Sequence, residues 1–338
     1  MRLRRSQLRG PGLRRVRRGS GFSYLDPDGE PVTDAKTLER IKGLVIPPAW
    51  KKVWICTYPN GHIQAVGTDA AGRRQYLYHQ KWQEERNEEK FDRALHMSAG
   101  LSDMRQQIAS DLRGKGLTRD RVIALALQLL DLGYFRSGSE QYAEENNSFG
   151  LATLRCEHVT LHQKTVEFDY PAKSGVRRTL LIEEPEVVRS VRALMRRPDR
   201  SERLLVCRNG SGWTDLHADD LNGRFKELVG DEYTVKDLRT WHGTVLAAAA
   251  FVDADPPENK SVIKRVESAV MKEVSEELGN TPAVARRSYV DPRVVEGYEA
   301  GLDIAPAARR AAKTRAPVKR QAILDNATAR LIRKVAKG

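Results

Sequence analysis

Several features that identify large classes of proteins are scarce or missing in this sequence. Cysteine occurs three times in 338 residues, at Cys56, Cys156 and Cys207, and never in a CxxC spacing. We therefore expect reduced thiols and a cytoplasmic location. No apolar run approaches the length that spans a bilayer, and the basic N-terminus lacks the apolar segment of a secretory signal. The sequence thus predicts no contact with membranes.

The motifs of nucleotide-dependent and metal-dependent enzymes are missing as well. The chain has no GxxxxGK[ST] phosphate loop, no GxGxxG after a strand and no HExxH. His158 and His162 are four residues apart, but their segment is predicted to be strand and turn, where this spacing does not bring ligands together. The acidic stretch DADPPEN at 253–259 holds two prolines and is expected to be a solvated loop. We predict no metal site and no cofactor.

Acidic residues are almost absent from both ends of the chain, which has a net charge of +13. Residues 1–20 hold eight arginines and no acid, and residues 306–338 hold ten basic residues and one acid, Asp325. Such basic ends attract the phosphate backbone of nucleic acids, although solvated tails without a partner give the same pattern. We predict a disordered basic tail at 1–20 and a basic C-terminal tail at 306–338, with a helix in residues 321–338.

Between these ends, the sequence pattern changes from β-like to helical near Lys81, and we place the domain boundary at residue 90. The stretch 21–90 predicts short strands, two of them joined by a turn at Asn60-Gly61 and a third at RRQYLYH. In the stretch 91–305, DRVIALALQLLDLG predicts a buried helix that ends at Gly133. A later helix presents one apolar stripe, made of Ile263, Val266, Val270, Val274 and Leu278.

The order of these patterns predicts an α+β fold. A small β-rich N-terminal domain occupies 21–90, and a mainly helical domain occupies 91–305. Strands interrupt the helical domain at 151–182, where a turn at 172–175 predicts a β-hairpin insert. We expect the segment 79–90 to be the linker between the domains or the first helix after it.

Five polar residues lie beside the ends or turns of these predicted elements. Arg136 follows the buried helix, Lys173 lies in the hairpin turn, and Arg239 lies near the start of an apolar helix in KDLRTW. Asn280 follows the end of a helix, and Tyr289 comes nine residues later in GNTPAVARRSY. Each residue taken alone has an ordinary explanation, such as a helix cap, a solvated turn or a half-buried aromatic side chain.

Taken together and in this order, these residues resemble the motifs of the type IB DNA topoisomerases, in particular the small poxvirus and bacterial enzymes. The similar segments are GLATLR after Arg136, then KDLRTW, GNTPAVARRSY and the upstream strand GTDAAGRRQYLYH. The resemblance extends over roughly residues 21–300, and four matches in order are far more specific than any single one. It implies a helical catalytic domain like that of the tyrosine recombinases, with duplex DNA as the partner.

The resemblance also implies a reaction and the residues that perform it. Such an enzyme relaxes supercoiled DNA by cutting one strand through a 3′-phosphotyrosyl intermediate and resealing it, with Tyr289 as the nucleophile. Arg136 and Arg239 stabilise the negative charge of the transition state, and Lys173 protonates the departing 5′-oxygen. Asn280 stands where the family commonly has histidine, so it can donate a hydrogen bond but cannot carry charge. No metal or nucleotide is needed, because the phosphotyrosyl bond conserves the energy of the broken bond.

Two roles are open for His242, which follows Arg239 by three residues on the same predicted helix. It either packs in the core, as most such histidines do, or compensates for the missing family histidine. The sequence favours packing.

The strand RRQYLYH resembles the DNA-contacting strand of the family. Alternation places Arg73 and Gln75 on one face with Leu77, and the two tyrosines on the other face, where they are either groove contacts or core residues. The expected DNA-binding residues are Arg73, Gln75, Tyr76, Tyr78 and Lys236. We expect a monomer associated with the nucleoid, without an obligate protein partner.

Two alternatives to a topoisomerase stay open at this point. A tyrosine recombinase uses the same chemistry, but recombinases usually have HxxR, whereas Lys236 lies three residues before Arg239 here. The β-rich N-terminal domain also favours a topoisomerase. A non-catalytic DNA-binding protein explains the basic ends but not the ordered set of arginines, lysine and tyrosine. The sequence gives no DNA site preference.

Overall fold

The computed structural model describes residues 2–133, 135–138, 140–199, 201–210 and 212–337. The chain divides into two compact units, Met1–Glu89 and Lys90–Gly338. A single helix, α2 (Gln80–Met97), includes the point of division, so the segment expected to be a linker or a first helix is helical from residue 80.

The first unit is built on a five-stranded antiparallel sheet with strand order β2-β1-β3-β4-β5. Its elements are β1 (Leu13–Arg18), β2 (Gly21–Leu25), α1 (Ala35–Gly43), β3 (Lys51–Ile55), β4 (Ile63–Thr68) and β5 (Arg74–Tyr78). Because strand residues alternate between faces, apolar side chains gather on one side of the sheet. There, Leu13 and Ile55 pack with Ile41 of α1 in a small core.

The prediction of a disordered tail at 1–20 is wrong for residues 2–20. Strand β1 pairs with β2 on one side and with β3 on the other, and Leu13 is buried. Before the strand, the Arg4 amide donates to the Asn60 carbonyl at 2.8 Å. The guanidinium of Arg15 donates to the carbonyl oxygens of Ile46, Pro47 and Trp50. The arginine-rich composition hid a β-strand, in which Arg15 is held by carbonyls of the folded unit.

The second unit is mainly helical and contains two small antiparallel sheets, which confirms the predicted α+β class. After α2, its helices are α3 (Leu101–Leu112), α4 (Arg119–Gly133), α5 (Glu140–Asn146), α6 (Pro185–Met195), α7 (Ala218–Val229), α8 (Val235–Ala250), α9 (Lys260–Leu278), α10 (Pro282–Ser288), α11 (Pro292–Glu299), α12 (Ala305–Ala312) and α13 (Pro317–Val335). Its strands are β6 (Val159–Leu161), β7 (Val166–Pro171), β8 (Arg177–Ile182), β9 (Val206–Asn209) and β10 (Gly212–Asp215). The sheets have orders β6-β7-β8 and β10-β9.

The core of this unit surrounds α4 and α8. Residues 122–131 of α4 are all buried, as expected for a helix that is apolar on every side. The predicted stripe on α9 also faces the core, since Val266, Val270, Val274 and Leu278 are buried. The predicted hairpin insert is β7 and β8, which pair in antiparallel register around a turn at Lys173–Gly175.

The basic C-terminal region is not a tail, contrary to the prediction for 306–338. Helix α13 packs against α8 and α11, and its Leu331 and Ile332 are buried. Its single acid, Asp325, is also buried, and it accepts hydrogen bonds from Arg105 of α3 at 2.6 Å and from Trp241 of α8 at 3.0 Å. The helix predicted in residues 321–338 is therefore present as α13, but it is an amphipathic helix of the folded unit and its apolar face contributes to the core.

None of the described helices is both long and apolar enough to cross a membrane. The residues that the structure describes contain no group of three or more histidine, cysteine or acidic side chains placed to hold a metal ion.

Candidate active site

Tyr289 lies directly after α10, and its position is set by contacts with α8. Helix α10 begins at Pro282 after the cap Thr281, whose hydroxyl accepts a hydrogen bond from Val284 N at 3.3 Å. The Tyr289 amide closes this helix, and the side chain is only 9% exposed. Gly243 of α8 permits the close approach, because a Cβ atom there would lie 2.8 Å from both Cβ and the carbonyl oxygen of Tyr289.

Arg136 contacts the Tyr289 hydroxyl from the segment that follows α4. Its Nη1 donates to the phenolic oxygen at 3.4 Å, and its Nη2 donates to the Gly279 carbonyl at 3.2 Å. The Arg136 carbonyl in turn accepts the Leu151 amide at 2.8 Å. Gly150 is required beside it, since a Cβ there would lie 2.9 Å from the Arg136 carbonyl oxygen. The GL pair of the GLATLR motif therefore holds the backbone that presents Arg136.

Arg239 projects from the second turn of α8 to the face of the Tyr289 ring. Its Cζ lies 5.2 Å from the ring centroid, and the side chain is only 7% exposed. Nη2 donates to the carbonyl of Leu278. Burial, aided by the like charge of Arg136, lowers the pKa of Arg239 to about 10, which leaves it a cation at neutral pH.

A third arginine, Arg178 of β8, joins Arg136 and Arg239 in a ring of three guanidinium groups around the C-terminal end of α9. Its Nη1 and Nη2 donate to the carbonyls of Glu276 at 2.8 Å and Glu277 at 2.7 Å. Together, the three guanidinium groups supply hydrogen bonds to the four consecutive carbonyls of 276–279. The end of a helix leaves such carbonyls without intrahelical partners and carries partial negative charge, so it is a natural holder of cations.

Asn280 lies next to this ring with an unsatisfied side chain. The backbone turns there through Gly279, which has a φ of 58°, and the Asn280 amide donates to Ser275 O at 2.9 Å. Among the residues that the structure describes, neither Nδ2 nor Oδ1 of Asn280 has a hydrogen-bond partner, although both atoms are buried. A buried amide without partners costs free energy, so it is suited to receive a ligand atom.

Two tyrosines near these arginines have opposite pKa shifts. Burial alone would raise the pKa of Tyr289, but the charges of Arg239 and Arg136 outweigh it and lower the pKa below the usual value. For Tyr170 of β7, burial dominates the opposing arginine charges and raises the pKa to about 12. The Tyr289 phenol is therefore the one whose ionised form is favoured.

The remaining predicted catalytic residue, Lys173, lies in the turn between β7 and β8 and is exposed. The turn is closed by a hydrogen bond from Ala172 N to Val176 O at 2.8 Å, and Gly175 has a φ of 72°. Lys173 therefore stands at the tip of the hairpin, and Arg178 lies close to that tip, in the second residue pair from the turn.

His242 belongs to the core of α8 rather than to this cluster. It is buried, and its Nε2 lies 3.0 Å from Oδ1 of Asp131. Asp131 also pairs with the buried Arg105 at 2.6 Å. The packing role that the sequence favoured for His242 agrees with these contacts.

In the first unit, β5 presents its two tyrosines outward. Tyr76 and Tyr78 are 36% and 39% exposed and their rings stack 6.0 Å apart, so they are not core residues. Gln75 lies on the other face and donates to Asp69 at 2.9 Å. Arg73 precedes the strand and pairs with the same carboxylate at 3.0 Å. Lys236, in the second unit, is exposed in the first turn of α8.

Sequence reasoning missed several residues that shape these sites. Arg74 lies on the face of Tyr76, with its Cζ 5.6 Å from that ring. For Arg178 the sequence does contain a signal, because strand alternation places it and Arg177 on opposite faces of the hairpin. Thr244, a polar residue within an apolar helix, lies 3.1 Å from the Tyr289 carbonyl, and only the fold brings the two together.

Comparison with known proteins agrees with both units. The family described as eukaryotic DNA topoisomerase I, catalytic core, matches residues 79–314, and the bacterial DNA topoisomerase IB N-terminal domain matches residues 21–69. The DNA topoisomerase 1B of Acanthamoeba polyphaga mimivirus is 30% identical over 294 residues, which cover 85% of this chain and 88% of that protein.

Two further relatives are also DNA topoisomerases. The DNA topoisomerase 1B of Vaccinia virus (strain Copenhagen) is 21% identical over 235 residues, covering 68% of this chain and 71% of that protein. The DNA topoisomerase 1 of Schizosaccharomyces pombe is 28% identical over 161 residues, which are 47% of this chain and 19% of that protein. Because a family matches most of its length and a relative is 30% identical over 85% of it, the chain belongs to the type IB DNA topoisomerases.

Proposed function

We propose that this topoisomerase relaxes supercoiled DNA by cutting and resealing one strand through Tyr289, without ATP or a metal ion. The phenolic oxygen attacks a phosphodiester phosphorus, the bond to the 5′-oxygen breaks, and a 3′-phosphotyrosyl ester forms. Resealing reverses these steps, with the 5′-hydroxyl as the attacking group. The observation that supports this most directly is the contact of Arg136 with the Tyr289 hydroxyl, together with the Arg239 guanidinium over the ring of the same tyrosine.

In this proposal, Arg136 and Arg239 stabilise the negative charge that develops on the non-bridging oxygens of the phosphate. Both guanidinium groups already lie beside the nucleophile, held by the carbonyls of Gly279 and Leu278. A phosphate oxygen is a stronger acceptor than a carbonyl, so a bound scissile phosphate competes well for the same donors. The arginines need little reorganisation, which is the source of their catalytic advantage.

Asn280 adds a neutral hydrogen bond to the same phosphate. Its buried amide atoms without partners support this role, since a phosphate oxygen would satisfy Nδ2. The amide cannot exchange a proton, so the task of protonating the leaving group falls to another residue. We assign that task to Lys173, which the hairpin presents at its exposed tip.

Duplex DNA is the proposed partner of both units. In the first unit, the stacked Tyr76 and Tyr78 offer an exposed aromatic surface, and Gln75 and Arg73 are available if DNA displaces Asp69. In the second unit, the exposed Lys236 adds positive charge near the start of α8. We propose that the enzyme acts as a monomer at the bacterial nucleoid.

Relaxation and covalent trapping test this proposal together. Purified protein is incubated with supercoiled plasmid in EDTA without ATP, and parallel reactions are stopped with a denaturant to detect protein bound covalently to DNA. We expect relaxation and a covalent adduct from the wild type, and neither from Tyr289→Phe, which should still bind DNA. Binding without any adduct by the wild type would instead support a non-catalytic DNA-binding protein. Recombination of a specific site would support the recombinase.

A further inference from the structure

Arg178 holds the Lys173 hairpin against the C-terminal end of α9, whose carbonyls also accept hydrogen bonds from Arg136 and Arg239. We infer that Arg178 is a positioning residue, which determines where Lys173 stands when the 5′-oxygen departs. The inference rests on the proposed role of Lys173 as the general acid. It concerns a residue that the motifs of the sequence did not indicate.

The first support is the geometry of the guanidinium. Arg178 lies on β8, opposite Tyr170 of β7, and reaches across to α9. Its two terminal nitrogens each donate to a different carbonyl, Glu276 O at 2.8 Å and Glu277 O at 2.7 Å. A planar fork with two bonds fixes both distance and orientation, which a lysine ammonium cannot do. The hairpin is therefore fastened to α9 at a defined angle.

The second support is independent of those hydrogen bonds and comes from Gly279. A Cβ atom at Gly279 would lie 2.8 Å from Cδ and 3.0 Å from Nε of Arg178. The arginine stem thus passes over a glycine that already has a left-handed conformation, with a φ of 58°. The absence of a side chain at Gly279 thus leaves room for the Arg178 side chain, and Asn280 is the next residue after Gly279. The packing of Arg178 on Gly279 therefore connects the hairpin to the residue that is proposed to bind the phosphate.

The consequence for Lys173 follows from its distance along the hairpin. Tyr170, opposite Arg178, is three residues before Lys173, or roughly 10 Å along the strand. Beyond that point Lys173 and Gly175 are exposed. Loss of the Arg178 contacts would let the hairpin rotate about its base and would displace the tip by more than the base. Proton transfer tolerates little misplacement, and a shift of about 1 Å can cost roughly 100-fold in rate.

Arg177 provides a matched control on the same strand. It is exposed, and it pairs with Asp169 of β7 at 2.6 Å instead of reaching α9. Arg177→Ala removes the same charge and the same number of atoms from the same hairpin. A general effect of hairpin charge or stability would appear in both variants, whereas loss of positioning would appear only in Arg178→Ala.

The experiment measures single-turnover cleavage by wild type, Lys173→Ala, Arg178→Ala, Arg178→Lys and Arg177→Ala. Each is given a normal duplex and a duplex whose 5′-bridging oxygen is sulfur. A thiolate leaves without protonation, so the sulfur substrate removes the need for an acid. We expect Arg178→Ala to cleave the normal duplex about 10- to 100-fold more slowly than the wild type does. It should cleave the sulfur duplex at close to the wild-type rate. Arg178→Lys should be intermediate, and Arg177→Ala should match the wild type.

Each other outcome has a definite meaning. Arg178→Ala that is slow on both substrates would overturn the inference, because the residue then acts on the phosphate or on the fold as a whole. A normal rate on both substrates would overturn it too. If Arg178→Ala does not fold, as judged by thermal melting, Arg178→Lys takes its place. The inference is then tested by comparing Arg178→Lys with the wild type on the two substrates. A Lys173→Ala that sulfur does not rescue would instead refute the proposed acid, in a separate arm of the experiment.

Discussion

The hydroxyl of Thr244 lies 3.1 Å from the carbonyl oxygen of Tyr289, so α8 holds the backbone of the proposed nucleophile directly. The same hydroxyl accepts a hydrogen bond from Asp291 N at 3.1 Å, and it is within reach of the Thr240 carbonyl. Arg239 projects from the same helix five residues earlier. One buried helix therefore sets the distance between Tyr289 and a cation that stabilises its charge.

Thr244→Val should impair catalysis without weakening DNA binding. Valine has nearly the same shape but leaves the buried Asp291 N–H without its acceptor, which should cost about 1–3 kcal/mol of unfolding free energy. Thr244→Ser keeps the hydroxyl and is the matched control. Urea denaturation and single-turnover cleavage measure the two effects. If the valine variant cleaves as fast as the serine variant, the contact with Tyr289 has no part in positioning.

Removal of the Arg239 charge should raise the pKa of Tyr289. In the wild type, burial favours the neutral phenol, and the charges of Arg239 and Arg136 reverse this effect. In Arg239→Gln, one of the two positive charges that counteract the effect of burial is lost, so the phenolate forms only at higher pH. The pH profile of cleavage should therefore move to more alkaline values. Titration of phenolate absorbance, with a Tyr289→Phe difference spectrum in each background, checks this shift. A pKa that stays in place or falls would mean that Arg239 does not stabilise the phenolate.

Asn280→Ala should slow cleavage by roughly ten- to a thousandfold, the range typical of losing one donor to a developing negative charge. Asn280→His should retain much of the activity, because a histidine can also donate a hydrogen bond at this position. Asn280→Asp is nearly isosteric but places an anion beside the phosphate, so it should be at least as slow as the alanine variant. Single-turnover rates at saturating enzyme rank the three variants. An alanine variant with the wild-type rate would place the additional donor elsewhere.

The C-terminal helix should be essential for stability, because Asp325 is buried between Arg105 and Trp241. Asp325→Ala leaves the buried Arg105 with one carboxylate fewer and should cost about 3–5 kcal/mol. The control is Asp231→Ala, which removes an exposed aspartate in the turn before α8. Urea denaturation compares the two. Equal stability of both variants would show that the buried contacts of Asp325 do not hold α13 to the core.

Much of the fold follows from local patterns, and the exceptions share a cause. The stripe on α9, the buried α4 and the hairpin around Lys173 obey simple periodicity and turn rules. Strand β1 was missed because arginine dominates its composition, whereas pairing on both of its edges decides its structure. The helix in residues 321–338 was predicted, but its place in the core was missed, because that depends on the buried Asp325 and its distant partner Arg105. Such long-range partners leave no signal in a local window of sequence.

The candidate site was predictable to a different degree. Arg136, Arg239, Asn280 and Tyr289 stand in motifs that resemble a family, and the structure places them around the end of α9. Arg178 has no such motif. Its contact with Glu276 and Glu277 joins residues about a hundred positions apart, so it becomes visible only in three dimensions.

The most direct test of the central proposal is to identify the tyrosine that becomes attached to DNA. The protein is reacted with a duplex that traps the cleaved strand, digested with protease and nuclease, and the modified peptide is sequenced by mass spectrometry. Tyr170 is the informative competitor, since it lies near the same arginines but has a pKa raised to about 12. We predict a 3′-phosphotyrosyl nucleotide on Tyr289 alone. An adduct on Tyr170 or another residue, or a 5′-linked adduct, would contradict the proposal.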